Sequence, residues 1–159
     1  MENGYELYIK LLESEQEKIE EEIYGISDEI QKHFLMESVE YEYLSSEEKN
    51  NYKDKLIRLK KNSKRKEKLS IMLSYIFNKR FIANVINRNN EKISLENYED
   101  ICDNIILLFN DKKCSLEDIE TKVKEILLRN TIFNISNILE SIIVMFKSRG
   151  FTYSEKLSL

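Results

Sequence analysis

A chain of 159 residues without a single proline, and with only Gly4, Gly25 and Gly150 as glycines, has little from which to build tight turns. Proline presets turn geometry and breaks helices, and glycine supplies the left-handed backbone that many hairpins need. Leu, Ile, Lys and Glu recur here at spacings of three and four, the period of an amphipathic helix. These features predict an all-α fold, an elongated helical bundle with one long central helix and a small C-terminal appendage holding at most a few strand residues. The expected division is a helical bundle domain over 1–110 and a small C-terminal helical region over 111–159. Glycine-rich phosphate loops are missing for the same reason.

A chain of this length can bury about 68–70% of its unfolded surface, so it folds without needing a disulfide or a metal. Cys102 and Cys114 are too few for a disulfide framework. The opening MENGYELYIK is polar and acidic where a secretory leader would be basic and then apolar. The longest uncharged apolar-rich stretch, Thr131 to Leu139, falls far short of the roughly 20 residues that cross a bilayer. The expectation is a soluble cytoplasmic protein without membrane contact.

Charge is strongly segregated. Residues 1–52 hold 15 acids and 4 bases, 53–68 hold 9 bases and 2 acids, and 69–159 hold 12 of each. Such a field can steer a partner, although solvated helix surface has the same composition.

Tyr5, Tyr8, Leu12, Ile19 and Ile23 share one face of a first helix, which Gly25 is expected to end. Ser27 then reads as the N-cap of a second helix carrying Ile30, Phe34 and Val39, to about Tyr43. Ser45 with Glu48 fits a capping box opening a long helix to about Asn87. Tyr52, Leu56 and Leu59 give that helix an apolar face at its start, and Leu69 to Ile86 give it one at its end. Lys60 to Lys68 has no apolar residue, so the helix either projects there or breaks near Asn62-Ser63. Asn87 to Asn90 is the clearest loop. Ser94 caps the next helix, with Leu95, Tyr98, Ile101, Cys102, Ile105, Leu108 and Phe109 facing a core. Asn110 to Lys113 is a junction before the Ser115–Asp118 capping signature. Leu116, Ile119, Val123, Ile126 and Leu127 follow it. A last helix from about Ser136 to Arg149 ends at Gly150, placed as a C′ residue.

No catalytic constellation can be assembled. His33 stands alone, without ligand spacing to another His or to a Cys-x-x-Cys pair. Cys102 belongs to an apolar face, and Cys114 sits beside Lys112 and Lys113 in a polar junction. The acids Glu13, Glu15, Glu17 and Glu20 to Glu22 lack the histidines that complete a carboxylate metal bundle. No enzyme, cofactor or metal is expected. The basic residues Lys60, Lys61, Lys64, Arg65, Lys66 and Lys68 are the one run with a conceivable ligand. Solvated surface, docking on an acidic protein and phosphate contact with nucleic acid would all use them. No aromatic is interleaved for base stacking. The long apolar supply of the central helix singles out Leu69, Leu73, Ile76, Phe77 and Arg80 as a candidate subunit interface.

Three stretches resemble the helical domain of the GINS family of DNA-replication factors, in the archaeal form that places that domain first. They are YELYIKLLESEQ from Tyr5, continuing at YGISDEIQKHF from Tyr24; LSIMLSYIFNKRFI from Leu69; and SLENYEDICDNII from Ser94. The resemblance covers about residues 1–109. Residues 115–150 read as two helices where that family carries a small β-rich domain. It implies a non-catalytic scaffold in a hetero- or homo-oligomer with sister subunits. It also implies bridging to a replicative helicase and a RecJ-like factor, nucleoid association, and at most weak DNA contact. Two other readings remain open, a winged-helix regulator and a small subunit of an RNA-guided ribonucleoprotein.

Overall fold

The computed structural model describes residues 3–36, 45–108 and 114–150, including all of their side chains except those of 31–36, 149 and 150. Among the described residues there are five α-helices and no strand: α1 (Gly4–Met36), α2 (Ser46–Arg88), α3 (Leu95–Leu108), α4 (Leu116–Arg129) and α5 (Ile135–Met145). The all-α expectation holds. A π-helical turn, Phe146–Gly150, follows α5, so Gly150 closes the last turn instead of standing beyond it as a C′ residue. No described helix is long and apolar enough to cross a membrane.

The chain falls into two compact units, one built from 1–14 with 75–159, the other from 15–74. That division differs from the expected boundary at 110. The polar junction before α4 separates no domain, because α4 turns Ile119, Val123, Ile126 and Leu127 inward, and α3 and α5 both pack on it. In this first unit Tyr8 stacks on Tyr98 with ring centroids 5.6 Å apart. Ile82, Ile86, Ile101, Ile105, Leu127, Ile138 and Ile142 fill the interior around them.

Local signals place the helix starts. Asn3 caps α1, its Oδ1 accepting from Glu6 N at 2.9 Å, a cap that the first-helix reading from Tyr5 passed over. Ser45 accepts from Glu48 N at 3.2 Å, and Ser94 from Asn97 N at 3.2 Å. At α4 the Ser115–Asp118 box is reciprocal, as the sequence predicts. α4 ends in a Schellman arrangement: Ile132 N reaches Leu127 O, and Thr131 N reaches Leu128 O. The left-handed position there is Thr131 at φ 59°, a conformation usually left to glycine.

Gly25 does not break α1, and Ser27 caps nothing; both lie inside one helix of 33 residues. The reason is packing. Ile19 and Ile26 are buried and Ile23 half-buried, so the stripe runs straight across Gly25. A glycine in a helix interior costs about 1 kcal/mol, whereas burying one such side chain is worth about 1.5–3 kcal/mol. Of the former second helix, Val39 and Tyr43 lie outside the described residues. α2 likewise runs unbroken through Lys60 to Lys68 over its 43 residues.

In the 15–74 unit, the two helices are antiparallel. Glu22 pairs with Arg65 and Glu29 with Arg58, so the numbering rises on one helix as it falls on the other. Burial on α2 follows a strict three–four spacing: Tyr52, Lys55, Leu59, Asn62, Lys66 and Leu69 are buried or half-buried, and every residue between them is exposed. On α1, Gln16, Ile19, Ile23 and Ile26 do the same. This is the 3.5-residue repeat of a coiled coil. Lys55 and Lys66 fit its seam through their methylene stems, and Asn62 donates to Glu29 at 2.9 Å.

Gly4 and Gly25 should respond oppositely to alanine. A Cβ at Gly25 meets nothing within 4 Å, so Gly25→Ala is expected to raise stability by about 0.5–1 kcal/mol. A Cβ at Gly4 would run into backbone atoms of Ile93 and Ser94, so Gly4→Ala should lower the melting temperature. Thermal unfolding followed by circular dichroism reads both signs.

Candidate interaction surfaces

The candidate basic run divides once it is folded. Arg65 is held by Glu22, Nε to Oε1 at 3.0 Å and Nη2 to Oε2 at 3.4 Å. Lys66 lies in the coiled-coil seam. Lys60, Lys61, Lys64 and Lys68 are exposed on the outer side of α2. The acids of α1 and the bases of α2, remote in sequence, therefore face each other within one helical pair, and part of the segregated charge is matched inside the chain.

The candidate subunit interface divides as well. Leu69 and Ile76 are buried within the chain's own interior, Leu73 and Arg80 are half-buried, and only Phe77, at 45% exposure, presents an apolar surface to solvent. The first two are therefore corrected from surface to core, because α2 finds apolar neighbours in both units. Leu56 flanks the seam instead of entering it.

A polar network fixes the junction between α4 and α5. Asp100 on α3 receives Arg129 Nε at 2.8 Å and Nη2 at 3.0 Å, and Asn130 Nδ2 at 2.7 Å. The Arg129 and Asn130 donors hold the Asp100 carboxyl below its ordinary range. Asn130 is buried and also bonds Ile126 O and Asn97 Nδ2. From the turn after α2, Glu91, nearly fully buried, accepts through Oε1 from Phe133 N at 2.8 Å and Asn134 N at 2.6 Å. Asn134 makes no side-chain cap to α5 and donates instead to Asn89 Oδ1 at 2.7 Å. The negative carboxylate thus sits where the positive end of the α5 dipole favours it.

The result of this bracing is Phe133. Its backbone is tied to a buried carboxylate, the residues before it are locked in the Schellman turn, and its side chain is 92% exposed. Sequence reasoning missed it. An aromatic next to Ile132 in an apolar-rich stretch reads as core, and only the turn at Thr131 sends the two side chains to opposite environments.

The remaining candidates carry less. Cys102 is fully buried, its Sγ 3.7 Å from Lys79 O, and burial pushes the thiol up to about 12. Cys114 is half-buried, with Lys122 Nζ 2.9 Å from its Sγ; Lys112 and Lys113 lie outside the described residues. The His33 side chain also lies outside them. Of the acidic cluster, Glu20 accepts from Gln16 at 3.0 Å and Glu22 holds Arg65. No group of three or more His, Cys, Asp or Glu able to hold a metal occurs among the described residues. A cleft of about 310 Å³ lies between the start of α1 and the α2–α3 turn, lined by Tyr5, Asn87, Glu91 and Tyr98. Tyr5 is hydrogen-bonded to Asn84, and Glu91 is already occupied by the α5 entry. Comparison with protein-family models, with curated proteins and with solved structures gave no match in any of the three.

Two measurements check this chemistry. In the native protein a thiol reagent should label Cys114 promptly and Cys102 only on unfolding. A depressed carboxyl contributes stability above its unfolded pKa and loses it as pH falls through the folded one. Wild type should therefore lose stability below about pH 4, and Asp100→Asn should flatten that acid limb.

Proposed function

We propose that the chain is a non-catalytic interaction subunit, a helical scaffold that docks other proteins. Phe133 carries the reading. A large aromatic side chain normally leaves water, and one held out by buried hydrogen bonds has its ordering cost met before any partner arrives. Exposed aromatics on rigid supports are the usual anchors of protein interfaces. Glu91, which holds the Phe133 backbone, and Asp100, which holds Arg129 and Asn130, are engaged in fixing helix ends, which fits a structural and not a chemical role.

The specific form of this reading is the one that the GINS-like stretches imply: a scaffold with sister subunits, connected to a replicative helicase and a RecJ-like factor, in a cytoplasmic, nucleoid-associated complex. The stretch from Leu69 to Ile82 now has a plain role in helix packing, so it supports a shared helical plan more than a shared surface. A second reading, a small nucleic-acid-binding protein, is favoured by one observation, the exposure of Lys60, Lys61, Lys64 and Lys68 in the basic run of α2.

The test compares wild type with Phe133→Ala by affinity capture from native extract, followed by binding of the purified captured protein. Removing a central aromatic anchor is expected to weaken that complex by about 2 kcal/mol or more. The melting temperature should change little, since the side chain packs on almost nothing. Equal capture by both forms would overturn the docking reading. Steep loss of a bound oligonucleotide with salt, by the wild-type chain alone, would favour the nucleic-acid reading.

A further inference from the structure

We propose that the cleft between the start of α1 and the α2–α3 turn binds a free α-amino acid, with its ammonium group on Glu91 and its carboxylate on Tyr98 and Lys92. The inference goes beyond the scaffold reading and does not depend on it.

The argument begins with the turn. Asn90 takes the left-handed conformation, φ 59°, and the two residues after it part company: Glu91 is only 6% exposed, whereas Lys92 is exposed. Both line the same cleft of about 310 Å³, together with Tyr5, Asn87, Asn90 and Tyr98. The cleft thus carries a negative charge in its buried wall and a positive charge at its rim. Glu91 uses Oε1 for the entry to α5, accepting there from Phe133 N and Asn134 N. Its Oε2 has no partner among the described residues, and no described cation pairs with it. Tyr98 is 1% exposed and stacked on Tyr8, yet its hydroxyl makes no hydrogen bond among the described residues. Burial above all pushes that phenol up, so it stays an O–H donor. A buried acceptor and a buried donor, each without a protein partner, therefore line one cleft, and such groups cost free energy until they are bonded.

These groups select the ligand. An anion alone would meet the Glu91 carboxylate. An amine alone would meet Lys92 and leave the Tyr98 hydroxyl without an acceptor. Water satisfies the hydrogen bonds but neither charge. An ammonium and a carboxylate on one small molecule satisfy all of them, since the ammonium donates to Glu91 Oε2 and the carboxylate accepts from the Tyr98 hydroxyl and Lys92 Nζ, in charge-assisted bonds. An α-amino acid is the compact form of that pair, with both groups on one carbon, as Glu91 and Lys92 are on consecutive residues. The rings of Tyr5 and Tyr98, with centroids 6.2 Å apart, add aromatic surface that suits an ammonium. The volume is at the lower end of the range for ligand pockets, about 300–1,000 Å³, which fits a molecule of this size and excludes a nucleotide or a peptide. The exposed amides of Asn87 and Asn90 then remain to meet a small polar side chain.

The experiment is isothermal titration calorimetry of the full chain with free glycine, serine, threonine and asparagine, each beside its N-acetylated form and its decarboxylated amine. At least one of these amino acids should bind wild type. Its N-acetylated form, which lacks the ammonium, and its amine, which lacks the carboxylate, should each bind at least about tenfold more weakly, the range expected for a lost hydrogen bond to a charged group. Two substitutions remove one group at a time. Glu91→Gln keeps an oxygen for Phe133 N and Asn134 N and removes the charge, and Tyr98→Phe keeps the ring on Tyr8 and removes the hydroxyl. Each should weaken binding by about tenfold or more. Circular dichroism melting reports whether each variant folds, and if one does not, the other and Lys92→Met at the rim carry the comparison. No heat of binding from any of the four amino acids at about 10 mM would overturn the inference. So would an amine or N-acetylated form that binds as well as its parent, or an affinity unchanged in folded Glu91→Gln and Tyr98→Phe. Capture of a protein through Phe133 is read separately and should survive Glu91→Gln, so the failure of either reading leaves the other standing.

Discussion

The structure depends on two long helices that stay helical only because each lies against the other. An isolated helix with a glycine in its middle, or with nine consecutive residues lacking an apolar side chain, is marginal in water. Here α1 carries Gly25 and α2 carries the stretch Lys60 to Lys68, and both continue. Among the described residues of the 15–74 unit, Ile19, Ile26, Leu59 and Leu69 are the buried ones. At about 1.5–3 kcal/mol each they outweigh a glycine penalty of about 1 kcal/mol. The ion pairs contribute less, since the side chains of Arg58 and Arg65 are half or more exposed and such pairs are worth about 0.2–1 kcal/mol. Their role is register: they decide which residues of one helix stand opposite which residues of the other.

The other unit solves a different problem, how to join short helices without glycine or proline. Asparagine takes the place of both. Asn90 adopts the left-handed conformation after α2. Asn89 bonds back to Val85 O and forward to Asn134, and Asn130 ties α4 to Asp100 and Asn97. A short amide can supply donor and acceptor to nearby backbone, which suits it to turns. The cost is that polar groups enter the interior and must all be satisfied. Glu91 shows how: its charge is buried, yet it is bound by two backbone N–H groups at the entry to α5.

How much of this was legible in the sequence varied with the kind of signal. Short-range chemistry read well. Ser45, Ser94 and Ser115 stand where helices begin, because a cap depends only on residues three positions apart. The core faces of α3 and α4 read well for the same reason, their periodicity being undisturbed. Gly25 misled because a local penalty was weighed without the opposing helix. The coiled coil was hidden because Lys55, Asn62 and Lys66 occupy seam positions, so a search for apolar residues sees a gap where the spacing continues. The candidate interface failed at Leu69 and Ile76 for a related reason. An apolar stripe shows that something covers it, not whether the cover comes from the same chain. Phe133 was invisible, since its exposure is set by a left-handed threonine two residues earlier.

The charge pattern gains a different meaning from this pairing. In the sequence, an acidic first third followed by a basic run reads as a field directed outward. In the fold the two segments run antiparallel beside each other, so their strongest interactions lie inside the molecule and their far field largely cancels. What survives is short-ranged and two-sided, negative along one helix and positive along its neighbour. A field of that form cannot attract a partner over long distances, and it discriminates poorly by net charge. It discriminates by register instead, because attraction turns into repulsion when either helix of a partner is slid or reversed. Segregated charge in such a chain is therefore better understood as a code for helix order than as a basic patch with an acidic tail.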